Sequence, residues 1–163
     1  MDAYLDIETT GLSPSCDSIT VVGLYLVKGS DASLVQLVGD DITEESILSK
    51  LQGVHTIFTY NGHRFDLPFI HAHTGIDLAQ NHRHRDLMND CWNRGLYGGF
   101  KAVEQQLGIN RNLKGVDGLE AVRLWWRYVN DYDCKALDLL LRYNAEDVIN
   151  LKVLKDRLLG SGM

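Results

Sequence analysis

The chain is poor in the residues that make covalent or membrane-anchored scaffolds. Its three cysteines, Cys16, Cys91 and Cys134, are odd in number, far apart and in no C-x-x-C arrangement. This excludes a disulfide framework and a thiolate zinc site, and predicts reduced, mostly structural thiols. No apolar run approaches the roughly 20 residues that cross a bilayer. The N-terminus leads straight into a strand, without a basic stretch followed by a long apolar one, which predicts a cytoplasmic protein. Repeats, low-complexity tracts and Pro/Gly/Ser linkers are missing too, so the 163 residues read as one domain over 1–159, with a tail at 160–163 expected to be disordered.

Positive charge is also scarce. The net charge of -6 argues against a polyanionic partner, because phosphate binding leaves a basic footprint. The distribution qualifies this. Residues 1–50 are strongly acidic, whereas over 81–116 Arg83, Arg85, Arg94, Lys101, Arg111 and Lys114 outweigh Asp86, Asp90 and Glu104. A modestly basic surface can therefore coexist with acidic strands, although a charge run is equally a solvated face.

What is present is a pattern of strands followed by helices. "AYLDIETT", "ITVVGLYLV" and "SLVQLVG" read as three strands, the last two forming a hairpin around "KGSDA". "TEESILSKL" has helical spacing, "HTIFTY" is a fourth strand, and "HRHRDLM" contains a short fifth strand or the loop leading into it. Helices are predicted from Asp66, over "FKAVEQQLG" with Gly108 ending it, and over "DGLEAVRLWWRYV" behind an Asp117-x-x-Glu120 capping box. A long closing helix follows over "CKALDLLLRYNAEDVINLKVLKDRLL". This order predicts an α/β layered domain.

Three acidic stretches stand out. In "AYLDIETTGL" the two-residue period of a strand puts Tyr4, Asp6 and Glu8 on one side and Leu5 and Ile7 on the other. Neighbouring carboxylates repel and are costly to bury, so this face is either wet, as on a solvated edge strand, or its repulsion is offset by a cation or a shared proton. In "YNGHRFDLPFI" Asp66 falls at a strand-to-helix junction, where it serves either as an N-cap or as a ligand group at the C-terminal end of a strand, the usual location of sites in open α/β sheets. In "RYNAEDV" Tyr143 and Asp147 are four residues apart, about 40° around a helix, and point at one object. They are predicted to flank an apolar stripe running through Leu137, Leu141, Val148, Leu151 and Leu158, which is also where an ordinary amphipathic boundary lies.

In combination, "DIETTGL", "YNGHRFD" and "YNAEDV" resemble, in wording and order, the three motifs of the DEDD exonucleases of the DnaQ-like, ribonuclease H-like superfamily. Tyr143, four residues before Asp147, resembles the tyrosine branch; Arg142 stands where the other branch carries His. "HRDLMND", "FKAVEQQLGINR" and "VDGLEAVRLWWRYV" are further similar to the small YprB-like predicted exonucleases. The resemblance implies a ribonuclease H-like fold, with a mixed sheet of about five strands and flanking helices. It also implies 3′→5′ hydrolysis of single-stranded DNA or RNA ends to nucleoside 5′-monophosphates.

By that resemblance Asp6, Glu8, Asp66 and Asp147 hold two Mg²⁺ or Mn²⁺ ions and Tyr143 orients the attacking water. All-oxygen ligands suit those ions, and a pair of them stabilises both the attacking and the leaving oxygen. Thr9 and Leu12 are implied to contact the terminal nucleotide, and Asn61 and Phe65 to line it, Phe65 being equally a core side chain. Without metal such a site is expected to be electrostatically strained. The other reading is a binding module that keeps the fold without turnover. The H-x-H pairs His71/His73 and His82/His84 raise a zinc site, but no Cys stands at ligand spacing.

Overall fold

The structure, a computed structural model, describes residues 1–160. The predicted disordered tail therefore lies, apart from Gly160, outside the described residues. Strands β1 (Asp2–Thr9), β2 (Ile19–Lys28) and β3 (Asp31–Val38) form an antiparallel meander. Helix α1 (Glu44–Lys50), capped by reciprocal hydrogen bonds between Thr43 and Ser46, carries the chain across to β4 (Thr56–Thr59), which pairs with β1 in parallel. Helices α2 (Asp66–Thr74) and α3 (Leu78–Asn81) lead to β5 (Arg83–Asp86), parallel to β4. The sheet order is β3-β2-β1-β4-β5. Helices α4 (Leu87–Trp92), α5 (Phe100–Leu107), α6 (Gly118–Asp131) and α7 (Cys134–Leu159) complete the chain.

β1 lies at the centre of the sheet, which removes the solvated-edge reading of its carboxylates. Its odd-numbered side chains Ala3, Leu5 and Ile7 pack with Ile47, Leu51, Phe69 and Ile70 of α1, its C-cap and α2. Its even-numbered face turns to α7. At one end of that face Tyr4 stacks on Phe58 at 5.2 Å among Leu151, Leu154 and Leu158, and at the other end lie Asp6 and Glu8.

Several local expectations change. Leu87 and Met88 do not extend the fifth strand, which ends at Asp86: Asp86 accepts from the Met88 N–H and caps α4 at Leu87. Asp117 caps α6 by accepting from the Glu120 N–H, but the Glu120 side chain approaches Arg123 instead of closing a box. Only Cys91 is a buried, structural thiol; Cys16 and Cys134 are exposed. The buried face of α7 runs through Ala136, Leu140, Tyr143, Asn144, Asp147, Val148, Asn150, Leu151, Leu154 and Leu158, so Val148, Leu151 and Leu158 of the predicted stripe are buried while Leu137 and Leu141 are only partly covered. The stripe is thus rotated from its predicted position, because three polar side chains of the site belong to the inward face. Among the described residues, no helix is long and apolar enough to cross a membrane.

Candidate metal and active site

The site is built at the end of the even-numbered face of β1. The β1–β2 register slips between Glu8 and Thr9, a bulge that ends regular pairing where the strand meets the cleft. Asp6, Glu8 and Asp147 each offer a carboxylate oxygen, and these atoms all lie within 4.8 Å of one another. Tyr143 lines the same cleft of ≈ 480 Å³, together with Thr9, Leu12 and Phe65. Leu12 stands at its mouth with 84% of its surface exposed. The other wall comes from α6 through Leu119 and Val122.

Two predicted residues are placed differently. Asp66 is buried at the first position of α2, but the helix is capped at Phe65, and Asp66 Oδ1 instead accepts the Ile7 N–H at 3.1 Å. It stands beside the three-carboxylate group and outside the 4.8 Å set. Asn61 does not line the cleft. Its backbone takes the left-handed conformation at φ 61, and its N–H donates to Asp86 Oδ1 at 2.7 Å. Asp86 Oδ2 accepts from the His63 N–H at 3.2 Å. Gly62 between them has no room for a side chain, since a Cβ would meet Thr59 Oγ1 at 2.2 Å. Asp86 therefore fixes the turn that delivers Asp66 to the site. Among the described residues the histidines form no ligand group with one another.

Sequence reasoning did not assign three further side chains. Asn144, fully buried, donates from Nδ2 to Asp6 Oδ2 at 3.3 Å, and its Oδ1 accepts from Gln36 Nε2 at 3.0 Å. That second bond fixes which way the amide points. Asn144 fits because Gly23, paired with Asp6 across β1 and β2, carries no side chain; a Cβ there would lie 2.1 Å from Asn144 Oδ1.

Lys101 donates from Nζ to Tyr143 OH and to the Val116 carbonyl, both at 2.8 Å. Arg111 reaches Glu104 through Nε at 3.0 Å and Nη2 at 2.8 Å, and Asp147 Oδ1 through Nη2 at 2.6 Å. The predicted basic stretch thus turns two of its cations inward. The available signal was "FKAVEQQLGINR", in which both residues flank the glycine that ends α5, but spacing alone did not say which way they face.

The electrostatics follow from burial. Desolvation first, then Asp147, Glu8 and Asp66, holds Asp6 well above the usual carboxylate range. Burial and Asp147 raise Glu8 in the same way. Burial pushes Asp66 up to about 7 against the pull of its backbone donors, and Asp147 up to about 6 against the pull of Arg111. Burial opposes the charge on Arg111, but Asp147 and Glu104 more than compensate and raise it. Burial, then Asp147, Glu8 and Asp6, keeps the Tyr143 phenol protonated far above its ordinary range. The expected strain of the carboxylate group is therefore real but partly offset by cations of the chain itself.

The donor set fits a hard divalent cation. It is all oxygen, and Glu8 Oε1 is buried without a hydrogen-bond partner, which is costly unless a cation meets it. A mixed five-strand sheet holding a carboxylate group at the end of its central strand, closed by a C-terminal helix, defines the ribonuclease H-like class of α/β proteins. Residues 3–159 match the RNase H superfamily, and the chain belongs to it.

The same fold also appears in solved structures of low identity. One is the family B DNA polymerase of the hyperthermophilic archaeon Pyrobaculum calidifontis, 16% identical with a TM-score of 0.71, covering 97% of this chain and 24% of the polymerase. This chain thus spans about a quarter of that protein. Another is Brucella melitensis NrnC with bound Mg²⁺, 22% identical with a TM-score of 0.64, covering 96% of this chain and 71% of that one. The same NrnC bound to pGG is 19% identical with a TM-score of 0.59, covering 97% and 72%. No curated protein matches the chain.

Proposed function

We propose that this protein is a metal-dependent 3′→5′ exonuclease of the tyrosine-type DEDD branch that trims single-stranded DNA or RNA ends to nucleoside 5′-monophosphates. The observation that carries the reading is the set of carboxylate oxygens of half-buried Asp6 and buried Glu8 and Asp147 within 4.8 Å of one another, with Glu8 Oε1 unpartnered, at the base of an open cleft. Asp6, Glu8 and Asp147 would hold Mg²⁺ or Mn²⁺, with Asp66 beside them. Bound there, the metal supplies positive charge at the phosphodiester and eases deprotonation of water. Support for this assignment includes the bound Mg²⁺ and pGG of the similarly folded NrnC.

The chain's own residues define the rest. Tyr143 stays protonated and accepts from Lys101, so its own proton is free to donate to a water and it acts as an orienting group rather than a base. Thr9 at the bulge and Leu12 at the mouth face the terminal nucleotide, and Phe65 offers an apolar wall between core and cleft. Asn61 acts through the turn it shapes. Incubation with 5′-labelled single-stranded RNA and DNA, with and without Mn²⁺, tests this: a one-nucleotide ladder that needs the metal is expected, and an intact substrate would exclude hydrolysis. The Arg111–Asp147 pair, which satisfies one carboxylate without metal, favours the second reading, a binding module without turnover. Release of mononucleotides decides between them.

A further inference from the structure

Asp147 does not stand free among the carboxylates. One of its oxygens, Oδ1, is taken by Arg111 at 2.6 Å, with the two side chains only 13% and 9% exposed. Arg111 is itself held rigidly. Glu104, 2% exposed, grips Nε and Nη2 in a two-point fork, and Asn150 of α7 donates to Glu104 Oε1 at 2.7 Å. The loop carrying Arg111 is pinned one residue from the site, because Glu146 accepts the backbone N–H groups of Asn112 and Leu113. Two adjacent residues of α7 therefore hold the same loop, Glu146 by its backbone and Asp147 by its arginine.

A fork of this kind fixes direction as well as charge, because the guanidinium is planar and its donors cannot swing independently. A buried Arg–Glu pair alone would be stabilising only weakly and is often replaceable by apolar groups. Here the guanidinium extends past Glu104 to a carboxylate that faces the ligand oxygens of Asp6 and Glu8.

We infer that Arg111 is a positioning residue: anchored by Glu104 and Asn150, it orients Asp147 so that one oxygen is presented to the metal side, and it serves as a resident counter-cation for the carboxylate group. The inference rests on the metal-dependent reading above. Removing Arg111 has two opposed consequences. The group becomes more negative and draws divalent cations more strongly, while Asp147 becomes free to turn, which misplaces a ligand by an amount that commonly costs about 10- to 100-fold in rate.

The test uses the double variant Glu104→Gln/Arg111→Gln, which leaves no unpaired buried charge from the Arg–Glu pair, and Arg111→Lys, which keeps a cation but not the fork. Melting temperature is measured with EDTA and with saturating Mn²⁺, Mn²⁺ affinity by calorimetry, and kcat on a single-stranded oligonucleotide. The double variant is expected to gain more melting temperature from Mn²⁺ than the wild type and to bind it at least as tightly, while kcat falls about 10- to 100-fold. Arg111→Lys is expected to restore the wild-type Mn²⁺ response but not kcat. A purely structural role would lower Mn²⁺ affinity and the EDTA melting temperature together, and that result overturns the inference, as does a folded double variant with wild-type kcat. If the wild type neither responds to Mn²⁺ nor hydrolyses the oligonucleotide, the metal-dependent reading itself fails and this inference falls with it.

Discussion

The two ends of one strand face solve opposite problems. At Tyr4 the even-numbered face of β1 meets side chains of its own kind, with Phe58 stacked on it and Leu151, Leu154 and Leu158 of α7 above. Two and four residues further on, the same face meets the same helix, but with Asp6 and Glu8 against Tyr143 and Asp147. The apolar end is complete from short-range packing alone. The acidic end is closed by groups brought from elsewhere: Arg111 and Lys101 from α5 and the loop after it, Asn144 from α7 and Gln36 from β3. The difference separates what holds the sheet to α7 from what the pair can do, and it makes the two ends separately breakable.

The largest effect is expected from Asp6→Asn, which should abolish hydrolysis while leaving the metal-free protein as stable as the wild type or more so, because the amide avoids the repulsion or proton uptake that desolvation and Asp147, Glu8 and Asp66 impose on the carboxyl. Oligonucleotide cleavage and melting in EDTA check the two halves; a clear loss of stability would make Asp6 a structural residue. Asp147→Asn should abolish cleavage as well, but without the stability gain, since it also deprives Arg111 of a partner.

Tyr143→Phe comes next. Losing one oriented hydrogen bond should lower kcat by about 10² to 10³, and less where solvent substitutes, while Mn²⁺ affinity stays unchanged. A wild-type kcat would reduce Tyr143 to a packing residue.

How much of this was legible in sequence differs along the chain. The alternation in β1 sorted its two faces correctly, because a strand period of two survives any tertiary context. The α7 stripe was misplaced because apolarity is a poor guide where Tyr143, Asn144 and Asp147 belong to the buried face. Asp66 reached the right neighbourhood, yet its bond to Ile7 is a contact across 59 positions that no local pattern encodes. Arg111 and Lys101 read as surface charge, since what turns them inward is the pinning of the 109–117 loop by residues of α7, α5 and the loop itself.

At the apolar end, Leu154→Ala should cost about 2–5 kcal/mol by cavity formation, with kcat per folded molecule unchanged. Denaturant melts paired with active-site titration separate the two quantities, and a fall in kcat would mean the ends are coupled.

The smallest expected effect is a pH trend. Asp66 at about 7 and Asp147 at about 6 are raised in the folded protein, so the native state binds more protons than the unfolded chain. That stabilisation is complete below the unfolded value of about 4 and is lost as pH rises through 6–7. Melting temperature in EDTA should therefore fall between pH 5 and pH 8. Saturating Mn²⁺ should flatten or reverse the slope, because it binds the ionised form. A metal-free protein that gains stability over this range would refute the protonated picture of the group.

The contact of Asn144 with Asp6 carries a constraint on how this protein can diverge. Gly23 is bare so that Asn144 can cross it, and Gln36 sets the direction of the amide. Three positions on β2, β3 and α7, far apart in the chain, thus form a single unit of inheritance. An alanine at 23 is tolerable only where 144 has already become smaller, and glutamine at 36 then keeps only its bond to the Leu141 carbonyl at 2.8 Å. Substitution at these positions should therefore be contingent on order, with each single change penalised and the complete set permitted.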